Sequence, residues 1–153
     1  GILAGLNENL QTADLSRAML EAGKDAAGDF ARSFASIYES DIRSKKGGSP
    51  WNQLRLNQKL HEWAEYDSST GWGILSARVE GDEVVVEIIH LNRLYADEGG
   101  QIFGHFISGY CETVVSHMVE NHHSGTFADC DSATITKGPV FEGETVMLRL
   151  IPQ

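Results

Sequence analysis

The residues with the clearest potential for chemistry are histidines in the last third of the chain. Five potential metal ligands follow one another there: His117, His122, His123, Asp129 and Cys130. Imidazole and thiolate donors suit zinc, but their spacing matches no standard zinc pattern. A histidine pair where a helix should end is also what the helix dipole favours. We therefore interpret this region as a solvated helix end, with no bound metal and no cofactor.

A second pair, His105 and Glu112, has a spacing compatible with acid–base chemistry. The two residues are about two helical turns apart, so they share a face on which a carboxylate could orient an imidazole. A polar outer stripe is the simpler interpretation of the same spacing. The chain shows no Ser-His-Asp order, nucleophile elbow or phosphate loop. The His105–Glu112 pair therefore stands without any of the standard catalytic motifs beside it.

Aromatic residues are better candidates for a functional site, because aromatic walls with a few polar groups form apolar ligand pockets. We predict a pocket between the third helix and the sheet, lined by Trp72, His90, Phe103, Phe106, Gly109 and Tyr110. His90 could donate a hydrogen bond into this pocket or simply cap the sheet. Gly104 and Gly109 could leave room for a flat apolar molecule, or could only let the helix approach the sheet closely.

The composition is that of one globular domain and disfavours several classes of partner. The 153 residues predict a single domain over 1–153, with residues 1–11 flexible or a linker remnant. Twelve Lys+Arg against 22 Asp+Glu give a formal charge of −10, which disfavours nucleic acid and anionic membranes. No apolar run reaches the length of a membrane span. Cys111 and Cys130 are expected to be buried free thiols, which favours a cytoplasmic location.

Helical periodicity predicts three helices. The apolar stripe that begins at Leu15 predicts a first helix from about Thr12 or Asp14 onward. Pro50 is expected to open a second helix, and the third is predicted over about residues 101–120.

Alternating apolar residues predict four strands. They are expected over residues 72–80, around 84–89, and over about 126–134 and 144–151, with a Gly81–Asp82 hairpin turn between the first two. The order α-α-β-β-α-β-β indicates the α+β class, with an antiparallel four-stranded sheet packed with helices.

Several short motifs add a family resemblance. They are the glycine within the first helix at Gly23, Gly71-Trp72-Gly73 before the first hairpin, Ile88-Ile89-His90, and the segment 104–110. Over roughly residues 14–151 the chain resembles the superfamily of the 4-vinyl-reductase-type small-molecule-binding domain, the transport-particle subunits of Golgi traffic and the haem-based nitric-oxide sensors. It also resembles the D subunit of bacterial cellulose synthase. The cysteine-held zinc of the vinyl-reductase-type sensors is not carried over, because no cysteine follows Cys130.

The resemblance implies a binding or assembly module. We predict a non-catalytic domain that holds a small apolar or aromatic ligand, as a sensor or carrier, and that forms a homo-oligomer. The alternative is an oligomeric assembly protein similar to the cellulose synthase component just named. A weaker alternative is a hotdog-type thioesterase, suggested by the tail at residues 137–144. The end of the first helix, with Phe30, Phe34, Ile37 and Tyr38, is expected to be core or an oligomer face, and we predict self-association from it.

Overall fold

Two antiparallel hairpins form one four-stranded sheet in the computed structural model, which describes residues 2–70, 73–90 and 100–153. The strands lie in the order β1-β2-β4-β3, where β1 is Ile74–Glu80, β2 is Glu83–Ile89, β3 is Ala133–Glu142 and β4 is Thr145–Pro152. The predicted hairpin turn between β1 and β2 is confirmed, and Gly81 supplies its positive φ of 63°. The α+β class and the antiparallel sheet are confirmed.

The described residues include three long helices, two of which pack on the sheet. The three helices are α1 (Ile2–Ile37), α2 (Leu56–Asp67) and α3 (Gly100–Glu120). Helix α2 packs against β1, α3 packs against β3 and β4, and α1 packs along α3. Among the helices that are described, none combines the length and apolar character that a bilayer crossing requires.

The starts of the first two helices differ from the sequence-based expectation. Helix α1 begins at Ile2, so Thr12 and Asp14 lie inside it, because no proline interrupts the preceding residues. It continues into a π-helical segment, Tyr38–Ile42, and one more turn, Arg43–Lys46. Pro50 opens only the 3₁₀ turn Trp51–Gln53, and α2 starts after Arg55, whose N–H donates to the Gln58 side chain.

The predicted strand over residues 126–134 is wrong. Residues Gly125–Phe127 form a 3₁₀ turn instead, and Gly125 has a φ of 70° that favours glycine. Strand β3 begins at Ala133 and runs through Gly138 and Pro139, with two register shifts against β4. Such irregularities are tolerated on an edge strand, because one side of it needs no ladder partner. The tail at 137–144 is thus the end of this strand and its turn.

The end of α1 belongs to the core. Phe34 is 1% exposed and Tyr38 is 2% exposed, and the Tyr38 hydroxyl donates to the Ser49 carbonyl at 2.7 Å. Phe30 and Ile37 are partly buried against the same core. Of the two roles expected for this segment, the described residues therefore show the core role, and self-association stays a prediction that no longer rests on an uncovered patch.

Helix side chains close both edges of the sheet. On the β1 edge, the Val79 N–H donates to the Asn57 side-chain oxygen at 2.7 Å. On the β3 edge, the Ser116 hydroxyl accepts from the Ala133 N–H and donates to its carbonyl, both at 3.0 Å. Glu112, which the sequence paired with His105, accepts the Ile135 N–H at 3.3 Å. These contacts fix α2 and α3 against the sheet and satisfy backbone groups that would otherwise attract another strand.

Candidate ligand-binding site

Two glycines set the distance between α1 and α3. A Cβ atom at Gly109 would overlap the Leu20 carbonyl oxygen, and one at Gly23 would overlap the Phe106 carbonyl oxygen. The two helices therefore cross in direct backbone contact, which only residues without side chains permit. The space beside Gly109 is filled by α1 rather than by the sheet.

Gly104 makes a similar close contact on another side of α3. A Cβ atom there would lie 2.8 Å from the ring of Phe141 on β3. At Gly104 the structure shows the close approach to the sheet that the sequence left as one of two alternatives, whereas at Gly109 the close approach is to α1.

Three of the predicted site residues lie in one stacked series of rings. The centroids of Phe103 and Phe106 are 5.4 Å apart, those of Phe106 and Tyr110 are 6.3 Å apart, and Tyr110 stacks on Phe30 of α1 at 6.1 Å. His90 is exposed at the end of β2, with a φ of 52°. Trp72 lies outside the described residues. The structure thus brings the α3 aromatics together, and a ligand role for these residues stays a prediction.

A buried carboxylate anchors the aromatic series. Asp67 is 5% exposed and accepts hydrogen bonds from the Trp63 indole at 2.7 Å and from the Tyr110 hydroxyl at 3.0 Å. Burial raises the pKa of Asp67, and the two donors oppose that rise. The neighbouring Cys111 is fully buried, and burial, together with the charge of Asp67, raises the pKa of its thiol. A thiol in that state is a poor nucleophile.

Helix α2 buries a second charged residue on the same face. Its buried positions are Leu56, Lys59, Leu60, Trp63, Ala64 and Asp67, a helical stripe that contains one cation and one anion. At about 1.5 Å of rise per residue, Lys59 and Asp67 lie about 12 Å apart along the axis, too far for direct pairing. Each of the two buried charges must therefore be stabilised by the residues that surround it.

The surroundings of Lys59 come from three segments of the chain. Its side chain is 3% exposed, and its Nζ lies 3.3 Å from Nδ1 of His122, which follows α3. The same Nζ lies 5.3 Å from the centre of the Trp51 ring, within reach of a cation–π interaction. His122 Nε2 in turn lies 3.3 Å from the Ser124 hydroxyl. Burial lowers the pKa of Lys59, and burial followed by the charge of Lys59 lowers that of His122.

Lys59 and His122 line a cleft of about 670 Å³ between α1, the 3₁₀ turn, α2 and the end of α3. Its apolar lining comes from α1, α3 and the 3₁₀ turn Trp51–Gln53. The residues are Ala31, Phe34 and Ala35 of α1, Val114 and Met118 of α3, and Trp51. Pockets of this volume with apolar walls and few polar groups are typical of small-molecule sites. A second depression of about 710 Å³, beside α2 and β1, is more open and has no buried charged residue in its lining.

The histidines considered for zinc take different roles. His122 is buried against Lys59, His123 is exposed, and His117 contacts Asn121 in the last turn of α3. Over residues 2–70, 73–90 and 100–153, no three histidine, cysteine or acidic side chains are placed to share a metal ion. Both cysteines are free, with Cys111 buried and Cys130 half-buried.

No protein-family model and no curated protein sequence matches this chain. Among solved structures, it is similar to a trafficking protein particle complex subunit 3 from Naegleria fowleri, covalently bound to palmitic acid. The TM-score is 0.54 at 10% sequence identity, over 98% of this chain and 89% of that chain. The chain has the fold of a transport-particle subunit. That part of the predicted resemblance is confirmed for the fold, and the similarity does not show the vinyl-reductase-type or cellulose-synthase branches.

The sequence-based prediction missed the buried charges of α2. Lys59 falls between Leu56 and Leu60 in the apolar stripe, and Asp67 falls in phase with Trp63. A charged residue in phase with apolar ones is the signal that would have marked both positions, because charges are rarely buried without a partner. Trp63 is a local partner of Asp67, but Tyr110 of α3 and His122 after it come from distant segments that no local pattern reveals.

Proposed function

We propose that this chain is a non-catalytic module that binds a small ligand with an apolar body, and that the ligand lies in the 670 Å³ cleft between α1, α2 and α3. The observation that carries this proposal is the lining of the cleft, which joins apolar walls from α1 and α3 to polar and charged side chains, among them the buried Lys59 and His122. Such a module would act as a sensor or a carrier.

The fold adds support of a general kind. The similar trafficking-particle subunit was solved with palmitic acid bound covalently, so this architecture accommodates an apolar chain in at least that protein. Here neither cysteine is among the described lining residues of the cleft, and burial raises the pKa of the Cys111 thiol, which disfavours its reactive thiolate. We therefore propose that binding is noncovalent.

The test uses the neutral fluorescent probe N-phenyl-1-naphthylamine, titrated against the purified chain. Ala35→Phe places a ring in the cleft from α1, whereas Ser33→Phe adds the same ring at an exposed position of α1 outside the lining. We expect saturable binding to the parent and to the Ser33 variant, and a loss of about tenfold or more in the Ala35 variant. Binding that Ala35→Phe leaves unchanged would place the site elsewhere, and no saturable binding at all would refute the proposal.

The same probe tests the site predicted from the sequence, between α3 and the sheet. Phe106→Ala removes the middle ring of the stacked series, which does not line the cleft. A loss of probe binding in this variant, with an unchanged Ala35 variant, would favour that location over the cleft.

A second candidate function is that of an assembly subunit, and the similarity to a subunit of a multiprotein complex favours it. Sedimentation velocity of the purified chain tests it directly. A dimer or larger species at micromolar concentration supports an assembly role, and a 16.8 kDa species alone contradicts the predicted self-association.

A further inference from the structure

The cleft contains a buried cation for which the described residues provide no anion. Lys59 is 3% exposed, and within the described part of the chain no carboxylate oxygen lies within 4.0 Å of its Nζ. Its neighbours are an imidazole nitrogen and the face of an indole ring, which are a neutral acceptor and a π system. Buried charges in proteins are normally paired with an opposite charge, so this environment is unusual.

The hydrogen bonds around Lys59 leave donors available. A protonated lysine has three N–H donors and no acceptor, so His122 Nδ1 must accept from it. The Nε2–H of His122 then donates to the Ser124 hydroxyl at 3.3 Å. This assignment follows from the network, and it holds His122 neutral. One of the three ammonium donors is used in this way, and the others remain for a ligand in the cleft.

The described lining of the cleft has basic but no acidic side chains, and of its two permanently basic residues Arg32 is paired with Asp29, which leaves Lys59. The chain carries 22 acidic residues and a formal charge of −10, yet among the described residues no Asp or Glu lines the cleft. Its ionisable members are Arg32, Lys59, His117, His122 and His123. A site that lacks carboxylates within so acidic a chain favours an anionic ligand over a cationic one.

The end of α3 does not already serve as the partner of this charge. Its His117 carbonyl accepts from the Asn121 backbone and side-chain N–H groups, and its Val119 carbonyl accepts from the His122 N–H. These contacts use two of the four carbonyls that would otherwise attract a cation at a helix C-terminus.

We infer that the cleft selects an organic anion: a carboxylate on an apolar body, with the carboxylate on Lys59 and the body along the apolar walls formed by Ala31, Phe34, Val114 and Met118. This inference rests on the proposed function, which places a ligand in the cleft. A carboxylate accepts charge-assisted hydrogen bonds from an ammonium group, and it would supply the charge that the described residues do not.

The experiment compares two ligands that differ only in their headgroup. Decanoate and decan-1-ol are used to displace N-phenyl-1-naphthylamine from the parent chain at neutral pH. In a site without a cation, the alcohol would bind better, because it costs less to remove from water. We expect decanoate to displace the probe at a concentration roughly tenfold to a hundredfold lower, as a charge-assisted hydrogen bond implies.

Two lysine variants assign the preference to its source. Lys59→Met replaces the buried ammonium with an apolar side chain of similar length, and the preference for decanoate should disappear while the probe still binds. Lys45→Met removes an exposed lysine outside the cleft and should retain the preference. Circular dichroism checks that both variants fold, and a parent chain without a preference for decanoate overturns the inference even if Lys59→Met does not fold.

The outcomes separate this inference from the proposed function. Probe binding without a preference for decanoate, or with a preference that persists in Lys59→Met, overturns the inference and leaves the proposed function standing. Absence of probe binding together with absence of decanoate binding overturns both. A preference present in the parent and the Lys45 variant, and lost in the Lys59 variant, supports the inference.

Discussion

Replacing Gly109 with alanine tests the backbone contact between α1 and α3. The added methyl group would overlap the Leu20 carbonyl oxygen and would lie 3.1 Å from the backbone nitrogen of Lys24. Because these are main-chain atoms of a helix, no side chain can rotate away, and the helices must separate by about 1 Å. Overpacking of this kind costs about 1–3 kcal/mol, and the rigid obstacle places it near the upper value. Alanine favours the helix by about 1 kcal/mol relative to glycine, which offsets part of this cost. We therefore expect the free energy of unfolding to fall by about 2 kcal/mol.

Gly28 provides the matched control on α1. Its nearest neighbours beyond the local backbone are guanidinium nitrogens of Arg32 at 3.6 and 3.7 Å from a built Cβ, which are ordinary contacts with a flexible side chain. Gly28→Ala should therefore gain most of the propensity difference, about 0.5–1 kcal/mol. Glycine-to-alanine substitution is thus expected to lower the stability at Gly109 and to raise it at Gly28.

Equilibrium unfolding in urea, followed by circular dichroism at a helical wavelength, measures both variants. A loss of about 2 kcal/mol corresponds to a melting temperature lower by about 4–8 °C in a chain of this size. Combining Gly109→Ala with Gly23→Ala should cost less than the sum of the single changes, because one separation of the helices relieves both. A Gly109→Ala variant as stable as the parent would refute the backbone contact, and with it the geometry of the α1–α3 pair.

Three further outcomes follow from the buried polar groups. Burial raises the pKa of Asp67 above its ordinary value of 3.8, so the folded chain binds this proton more tightly than the unfolded chain. The protonated carboxyl therefore contributes stability below pH 3.8, and this contribution is lost as the pH rises through the raised pKa of the folded chain. Relative to Asp67→Asn, the parent should therefore gain stability as the pH falls, and urea unfolding at several pH values that shows the reverse slope would contradict this. Asp67→Ala removes the acceptor shared by Trp63 and Tyr110 and should cost about 2 kcal/mol in the same assay. Ser116→Ala should cost about 1–2 kcal/mol and speed hydrogen exchange of the Ala133 amide, whereas unchanged exchange would show that this edge is held by other contacts.

The sequence predicted correctly those helices and turns that are marked by a pattern of neighbouring residues. The alternation on either side of Gly81–Asp82 predicted the first hairpin, and the spacing of apolar residues predicted α3 almost to its ends. These patterns work because a two-residue turn and a helical stripe are each defined by neighbouring residues. Strand β3 was misplaced because its register shifts around Gly138 and Pro139 break the alternation that marks a strand.

The packing of the helices determines which polar side chains meet in the cleft. Periodicity alone was enough to place His122 at the end of a helix, but the sequence-based prediction did not identify Lys59. It did not show that the two side chains meet, because 63 residues separate them and both α2 and α3 must first pack on the sheet. Likewise, Gly109 was recognised as a gap in α3, but only the crossing with α1 shows which element fills it. Contacts between distant segments depend on the packing of whole helices, and that packing brings a buried lysine, a neutral histidine and apolar walls into one cleft.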